Sequence, residues 1–255
     1  MEFTAEAARL KRLSAAAPAN APLPVITPAP VAAATPASAA LPVVETFHSL
    51  QGEGLHAGRS AFFIRLAGCT VGCAWCDTKH SWPEIAHPQR TLSALAAEAR
   101  AAQEAGAAFV VITGGEPLHH DLAPLCSALR QAIPSPAQVD TGAGGGLPRP
   151  WALHLETSGV DPLSGRFDWI TLSPKRHRPP REELLAACQE LKVVVEAEAD
   201  LFFAEAMALQ AVQAPALLLQ PAWDSPRGQE LAIAFVRRHP AWRLSLQTHK
   251  WLGVR

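Results

Sequence analysis

The chain is poor in charge and in cysteine, and it has no long apolar run. Only 18% of its 255 residues are charged, and 22 Lys and Arg against 23 Asp and Glu leave a net charge of −1. Such a balance exerts no strong electrostatic pull toward nucleic acid or a membrane surface. No apolar stretch approaches the roughly 20 residues that cross a bilayer. The five cysteines give no disulfide framework, because three crowd into one short segment and nothing marks secretion. Few cysteines in one cluster indicate a reducing cytoplasm. The other two, Cys126 in APLCSALR and Cys188 in LLAACQE, sit in helix-like stretches and read as core residues.

Residues 1–42 are different in kind from the rest. From Ala15 to Pro42 the chain is nearly all Ala and Pro, a composition that cannot offset its ordering entropy. It predicts a disordered or polyproline-like lead-in without a function. Arg9, Lys11 and Arg12 precede it, but no apolar segment of the secretory kind follows. Residues 43–255 read as one domain in which strand-like and helix-like runs alternate. The strand-like runs are Phe62–Leu66, Phe109–Thr113, Trp151–Glu156, Phe167–Leu172, Leu191–Val195, Ala216–Gln220 and Trp242–Gln247. Helix-like runs are Leu92–Gln103, Leu122–Ala132, Arg181–Gln189, Ala199–Leu209 and Arg227–Arg237. That alternation predicts an α/β fold with a parallel sheet under helices, and about six repeats fit an open, partial (β/α)6-type barrel. Asp140–Pro150, containing TGAGGG, interrupts the rhythm and predicts a flexible loop insertion.

Cys69, Cys73 and Cys76 occupy the stretch GCTVGCAWCDT. Three thiolates at this spacing are one short of a closed metal site, and an open position is where a cosubstrate docks. The pattern suits an iron–sulfur cluster whose fourth iron binds S-adenosylmethionine. A structural zinc site is the competing reading, since His80 lies four residues past Cys76 and completes a Cys3His set. Spacing alone leaves both open.

The strand Phe109–Thr113 ends in Gly114-Gly115-Glu116-Pro117, where a parallel barrel collects its ligands. Two glycines let backbone carbonyls approach an ammonium, and Glu116 adds a charged acceptor. The same four residues could be no more than a tight turn. Placed one βα unit after a three-cysteine loop, they make the chain resemble the radical S-adenosylmethionine enzymes. Leu50-Gln51-Gly52-Glu53-Gly54, Gly58-Arg59, the strand FFIRL with Arg65, Cys76-Asp77-Thr78, Ser173-Pro174-Lys175 and Gln247-Thr248-His249-Lys250 narrow the likeness. Together, over roughly 43–254, they resemble the 7-carboxy-7-deazaguanine synthase family.

That resemblance implies a partial barrel of the radical S-adenosylmethionine kind and a lyase. Its reaction is the ring contraction of 6-carboxy-5,6,7,8-tetrahydropterin to 7-carboxy-7-deazaguanine with loss of ammonia, on the route to queuosine. A 4Fe-4S cluster, S-adenosyl-L-methionine used catalytically and Mg2+ are its implied cofactors. A pterin substrate, an electron donor such as flavodoxin and a second copy of the chain in a homodimer are its implied partners. Direct nucleic-acid or membrane contact is not expected.

Carried residue by residue, the likeness implies Cys69, Cys73 and Cys76 as cluster ligands and Thr78 as the Mg2+ ligand. Trp75, Asp77, Gly115, Glu116, Ser158, Ser173 and Lys175 fall to the cosubstrate, with Trp75 offering a flat face to adenine. Leu50, Gln51, Gly52, Glu53, Arg65, Thr113, His249 and the terminal Arg255 fall to the substrate. Arg65 stands on a strand that should be buried, so it requires a salt bridge or an anionic ligand, and a pterin carboxylate suits its planar fork. Unaided, Thr78 reads as a turn-capping residue and Trp75 as apolar cover. His48, His119, His120 and His154 read as solvated or structural. Only six residues follow His249, too few for another helix. A glycyl-radical-enzyme activase, which can share the cysteine spacing, and a non-catalytic zinc module using His80 are the other functions weighed.

Overall fold

In each parallel strand, alternate residues point to opposite faces, and here the two faces carry different chemistry. The computed structural model describes residues 39–132, 151–213 and 215–255. The elements run β1 (Ala40–Leu50), β2 (Ser60–Leu66), β3 (Gln89–Thr91), α1 (Leu92–Glu104), β4 (Phe109–Gly114), α2 (Ala123–Ala132), β5 (Ala152–Thr157) and β6 (Trp169–Leu172). They continue through α3 (Glu182–Ala187), β7 (Glu190–Val195), α4 (Glu198–Gln210), β8 (Ala216–Pro221), α5 (Pro226–Val236), β9 (Trp242–Leu244) and α6 (Thr248–Leu252).

Strands β2, β4, β5, β6, β7, β8 and β9 pair in that order, all parallel. β1 adds to β2 antiparallel and β3 to β1 antiparallel, so β3 and β9 are the two edges and the sheet stays open. The side chains Arg65, Thr113, Glu156, Thr171, Lys192 and Gln220 come from six successive strands yet line one cavity. The sheet therefore curls around that cavity as a partial barrel.

The outer face is apolar throughout. Ile64, Leu66, Ile112, Leu153, Leu155, Leu172, Leu191, Val193 and Leu219 meet Leu95 and Ala99 of α1, Leu125 and Leu129 of α2, and Phe235 of α5. Each fully buried Leu or Ile on this face contributes about 1.5–3 kcal/mol relative to exposure. A smaller inner cluster of Ala61, Phe63, Phe109 and Val111 fills the amino-terminal end of the barrel. His154 stacks on Phe109 there at 4.2 Å, and burial drives its imidazole down to about 3, leaving a neutral structural histidine. Helix starts follow local chemistry: Thr91 Oγ1 accepts from Ala94 N ahead of α1, and Ser225 Oγ accepts from Gly228 N with Pro226 at the first turn of α5.

Three differences from the sequence reading stand out. Ala40–Pro42, grouped by composition with the lead-in, begin β1 and pair with β3, and Leu41 is buried. A pairing partner fifty residues away overrides a weak local signal. The terminal residues do form a helix, the single turn α6, closed by Gly253 at φ +65°. The last parallel strand stops at Leu244 rather than reaching Gln247. Residues 1–38 of the predicted lead-in and the TGAGGG stretch lie outside the described residues. Among the described residues no helix is long and apolar enough to cross a membrane.

Candidate active site

The carboxyl ends of the parallel strands open into a cavity of about 420 Å3. Its wall includes Leu50, Gln51, Gly52, Glu53, Arg65, Cys69, Cys73, Trp75, Cys76, Asp77, Thr78, Thr113, Gly115, Glu116, Ser158, Ser173, Lys175, His249 and Arg255. The structure thus brings to one place every residue that the family resemblance implied for the site. His80 is exposed and does not line the cavity.

The thiol loop follows β2. Cys69, Cys73 and Cys76 are free, with Cys73 buried and the other two half-buried. Burial raises the Cys69 thiol, and it raises Cys73 against the lowering pull of the Lys175 ammonium. The end of β4 packs directly on this loop. A Cβ at Gly115 would stand 2.4 Å from Gly68 O and 3.0 Å from Cys69 Cβ, so only glycine fits. Three free soft donors on one cavity wall, with no fourth cysteine there, fit a cubane cluster that keeps one iron open. Thr78 Oγ1 lies 3.6 Å from Cys76 Sγ, and Thr78 O accepts from Ser81 Oγ at 2.7 Å.

Across from the thiols, Lys175 Nζ donates to Ser173 Oγ at 2.8 Å and sits 4.7 Å from the Trp75 ring centroid. Burial lowers this ammonium to about 8. Glu116 is taken up within the protein. Its carboxyl group accepts from Thr157 Oγ1, from Ser158 N at 2.8 Å and Ser158 Oγ, and from Leu118 N at 3.2 Å. It ties the ends of β4 and β5 together and orients Ser158.

The opposite half of the cavity is built around an ion pair inside the barrel. Lys192 Nζ pairs with Glu53, whose second oxygen accepts from Gln247 Nε2 at 2.8 Å. Burial would raise the Glu53 carboxyl, but Lys192 and Gln247 override it and hold it at about 2. Burial would likewise lower Lys192, yet Glu53, Glu156 and Glu190 push it upward. Both partners are therefore ionised at neutral pH. Glu156 accepts from Gln51 Nε2 and Thr113 Oγ1, each at 2.9 Å. Arg65, half-buried, gives Nε to Glu45 at 3.0 Å.

The chain end folds over the LQGEG loop. Thr248 N and Oγ1 both donate to Gly52 O at 2.9 Å. A Cβ on Gly52 would come 2.1 Å from His249 Nδ1, so the glycine makes room for that imidazole. Burial lowers the His249 imidazole while Glu53 opposes the shift. Lys250 pairs with Asp77 and lies 4.5 Å from the Trp223 ring centroid, linking the chain end to the thiol loop.

Lys192 and Glu45 were not singled out from the sequence, whereas Glu156, Gln247 and Lys250 stood there only within motifs, with no partner assigned. The signal for Lys192 was present: a lysine inside the mostly apolar strand ELKVVV must find a counter-charge. Glu156 at the carboxyl end of β5 was equally visible by position.

Comparison with known proteins agrees with this geometry. Residues 63–194 match the model of the Radical SAM superfamily. A 7-carboxy-7-deazaguanine synthase of Prochlorococcus marinus is 52% identical over 83% of this chain and 97% of its own length. The enzyme of the same name from Synechocystis is 47% identical over 84% and 93%, and that of Escherichia coli K12 is 33% identical over 82% and 97%. The crystal structure of QueE from Escherichia coli superposes with a TM-score of 0.66 at 31% identity, covering 82% of this chain and 95% of that one. The chain belongs to the 7-carboxy-7-deazaguanine synthase family of the Radical SAM superfamily.

Proposed function

We propose that this chain contracts the ring of 6-carboxy-5,6,7,8-tetrahydropterin to 7-carboxy-7-deazaguanine with release of ammonia, on the route to queuosine and related deazapurines. The observation that carries this reading is one cavity joining a three-thiol loop to a receptor of Arg65, Gln51, Glu53 and His249. Cys69, Cys73 and Cys76 would hold a 4Fe-4S cluster. Ser158, Ser173 and Lys175, with Trp75, Asp77, Gly115 and Glu116 around them, would hold S-adenosyl-L-methionine. When bound, these two groups supply the hydrogen abstraction and return that the ring contraction needs.

The protein's own part is binding, orientation and exclusion of water. Arg65, steadied at Nε by Glu45, keeps its two terminal nitrogens for a carboxylate. Glu53, ionised and fixed by Lys192 and Gln247, offers acceptor lone pairs to the N–H groups of an aminopyrimidine edge. Gln51 and Thr113 are locked in orientation by Glu156 and present backbone and side-chain groups beside it. Lys175 opposite Ser173 supplies a cation for a second carboxylate, that of the methionine. Leu50 and Gly52 line the substrate side, where Gly52 seats His249.

Thr78 is the proposed Mg2+ ligand, its hydroxyl lying on the cavity wall beside Cys76. A homodimer, a flavodoxin-like electron donor and a cytoplasmic location complete the reading, with the substrate a small molecule rather than nucleic acid.

The deciding experiment is anaerobic incubation of reconstituted enzyme with the carboxytetrahydropterin, S-adenosylmethionine, Mg2+ and a reductant. A deazapurine identified by absorbance and mass, with less than one S-adenosylmethionine consumed per turnover, is expected. Cluster-loaded protein that yields none would overturn the proposal.

A further inference from the structure

Glu45, Phe47 and Ser49 of β1 are spaced two apart and share one strand face. Phe47 stacks on Phe63 with centroids 4.8 Å apart and lines the cavity, so this face is turned toward the site. Glu45 divides its carboxylate between two cations. Oε1 accepts from Arg65 Nε at 3.0 Å, and Oε2 pairs with Arg255 Nη1 at 2.9 Å. Ser49 Oγ donates to the backbone oxygen of the same Arg255. Arg255 is thus gripped by β1 at both its side chain and its backbone oxygen. Val254 N donates to His249 O at 3.1 Å and ties the tail to the histidine on the cavity wall. Unpartnered termini fray, and these contacts oppose that.

We propose that Glu45 is a positioning residue that sets Arg65 and the chain terminus as one unit, with the Arg255 side chain as the strap holding the terminus against the substrate side of the cavity. This rests on the pterin-carboxylate reading of Arg65. By engaging Nε, Glu45 fixes the plane of the guanidinium and leaves its outer edge for a bidentate ligand. By engaging Arg255, it couples that plane to the segment carrying His249. The Arg255 pair is solvent-exposed and individually weak, whereas Glu45 serves two cations, so the two removals differ in size.

Three holoenzyme variants test this: Arg255→Ala, Glu45→Gln and the double substitution. The readouts are amide hydrogen exchange over residues 248–254 without substrate, KM for the pterin, and KM for S-adenosylmethionine. Arg255→Ala is expected to speed tail exchange and raise the pterin KM about two- to fivefold, as fits an exposed pair. Glu45→Gln is expected to raise it about tenfold or more, because a charged hydrogen bond to Arg65 is also weakened. Neither should move the S-adenosylmethionine KM. The double variant should be no worse than Glu45→Gln, since the strap has then lost its anchor. Arg255→Ala with wild-type exchange and KM would overturn the proposal. So would a double variant in which the two effects simply add, or a Glu45→Gln enzyme whose two KM values rise together. A wild-type chain that never converts the pterin would sink the functional reading alone, and tail exchange would still decide whether the strap exists.

Discussion

The two faces of the same parallel strands set the outer core against the barrel interior. On β7, Leu191, Val193 and Val195 point outward into the helix-covered core, while Glu190 and Lys192 point inward among carboxyl groups. Outside, stability comes from apolar area and tolerates conservative exchange. Inside, charges are desolvated and survive only because each has a partner, as Lys192 has Glu53 and Glu156 has Gln51 and Thr113. The outer face makes the barrel and the inner face makes the site.

The largest expected effect falls where the inner face depends on a bound group. Cys69→Ala, Cys73→Ala or Cys76→Ala should each abolish cluster retention and turnover, because two thiolates do not secure a cubane. His80→Ala should retain both, measured as iron and sulfide per chain and as product formed. Loss of metal on changing His80 would revive the zinc reading.

Next comes a direct contrast between the faces. Lys192→Met strands Glu53 in the interior and should cost about 3–5 kcal/mol of stability as well as pterin binding. Leu155→Ala on the outer face should cost about 2–5 kcal/mol, yet leave KM near the wild-type value below its melting temperature. The distinction breaks if both variants lose KM alike. Acid unfolding sharpens it. Glu53 is depressed from its ordinary 4.5 to about 2, so its contribution is present above pH 4.5 and is lost as pH falls toward 2. Lys192 is shifted upward from 10.5, so its contribution is intact below 10.5 and is lost only in strong alkali. In Lys192→Met, Glu53 loses the cation that depresses it, so the stability lost between pH 4.5 and 2 should shrink, read by chemical denaturation at a series of pH values. Leu155→Ala should lower stability about equally across that range and leave its slope with pH unchanged.

A smaller effect is expected at Arg65. Arg65→Lys keeps the charge but loses the fork, and should weaken pterin binding by about 1.5–3 kcal/mol. Binding of S-adenosylmethionine should hold. Equal losses for both ligands in calorimetry would make Arg65 a residue of the fold.

How legible this was from sequence followed the same division. Loops that carry chemistry announce themselves through composition: GCTVGCAWCDT, LQGEG and GGEP all line the cavity. Outer-face strands were legible as apolar runs, within a few residues at their ends. The inner-face partners were harder, because Lys192, Glu156 and Thr171 alternate with the apolar residues that define the strand. A one-dimensional pattern shows that such a residue is out of place but not what it meets. β1 was lost because its antiparallel pairing with β2 and β3 is non-local, and α6 because a one-turn helix carries little periodicity. Gly253 after Thr248–Leu252 was the available cue to that last turn.

The smallest effect should separate two truncations that differ by four residues. Deleting residues 1–38 removes an Ala- and Pro-rich segment with little apolar surface to bury, so melting temperature and turnover should be unchanged. Deleting residues 1–42 also removes the start of β1. Ala40, Leu41 and Pro42 pair with Thr91, Arg90 and Gln89, and Pro42 O accepts from Ala67 N at 2.9 Å just before the thiol loop. Leu41 is buried in the outer core, where its loss costs about 1.5–3 kcal/mol. The longer deletion should therefore lower the melting temperature while cluster content stays near normal, since the thiols themselves sit on the loop after β2. Two truncations with the same melting temperature would mean that the first residues of β1 add nothing to the sheet. A shorter deletion that already destabilises would mean that the Ala- and Pro-rich segment packs on the domain, contrary to its composition.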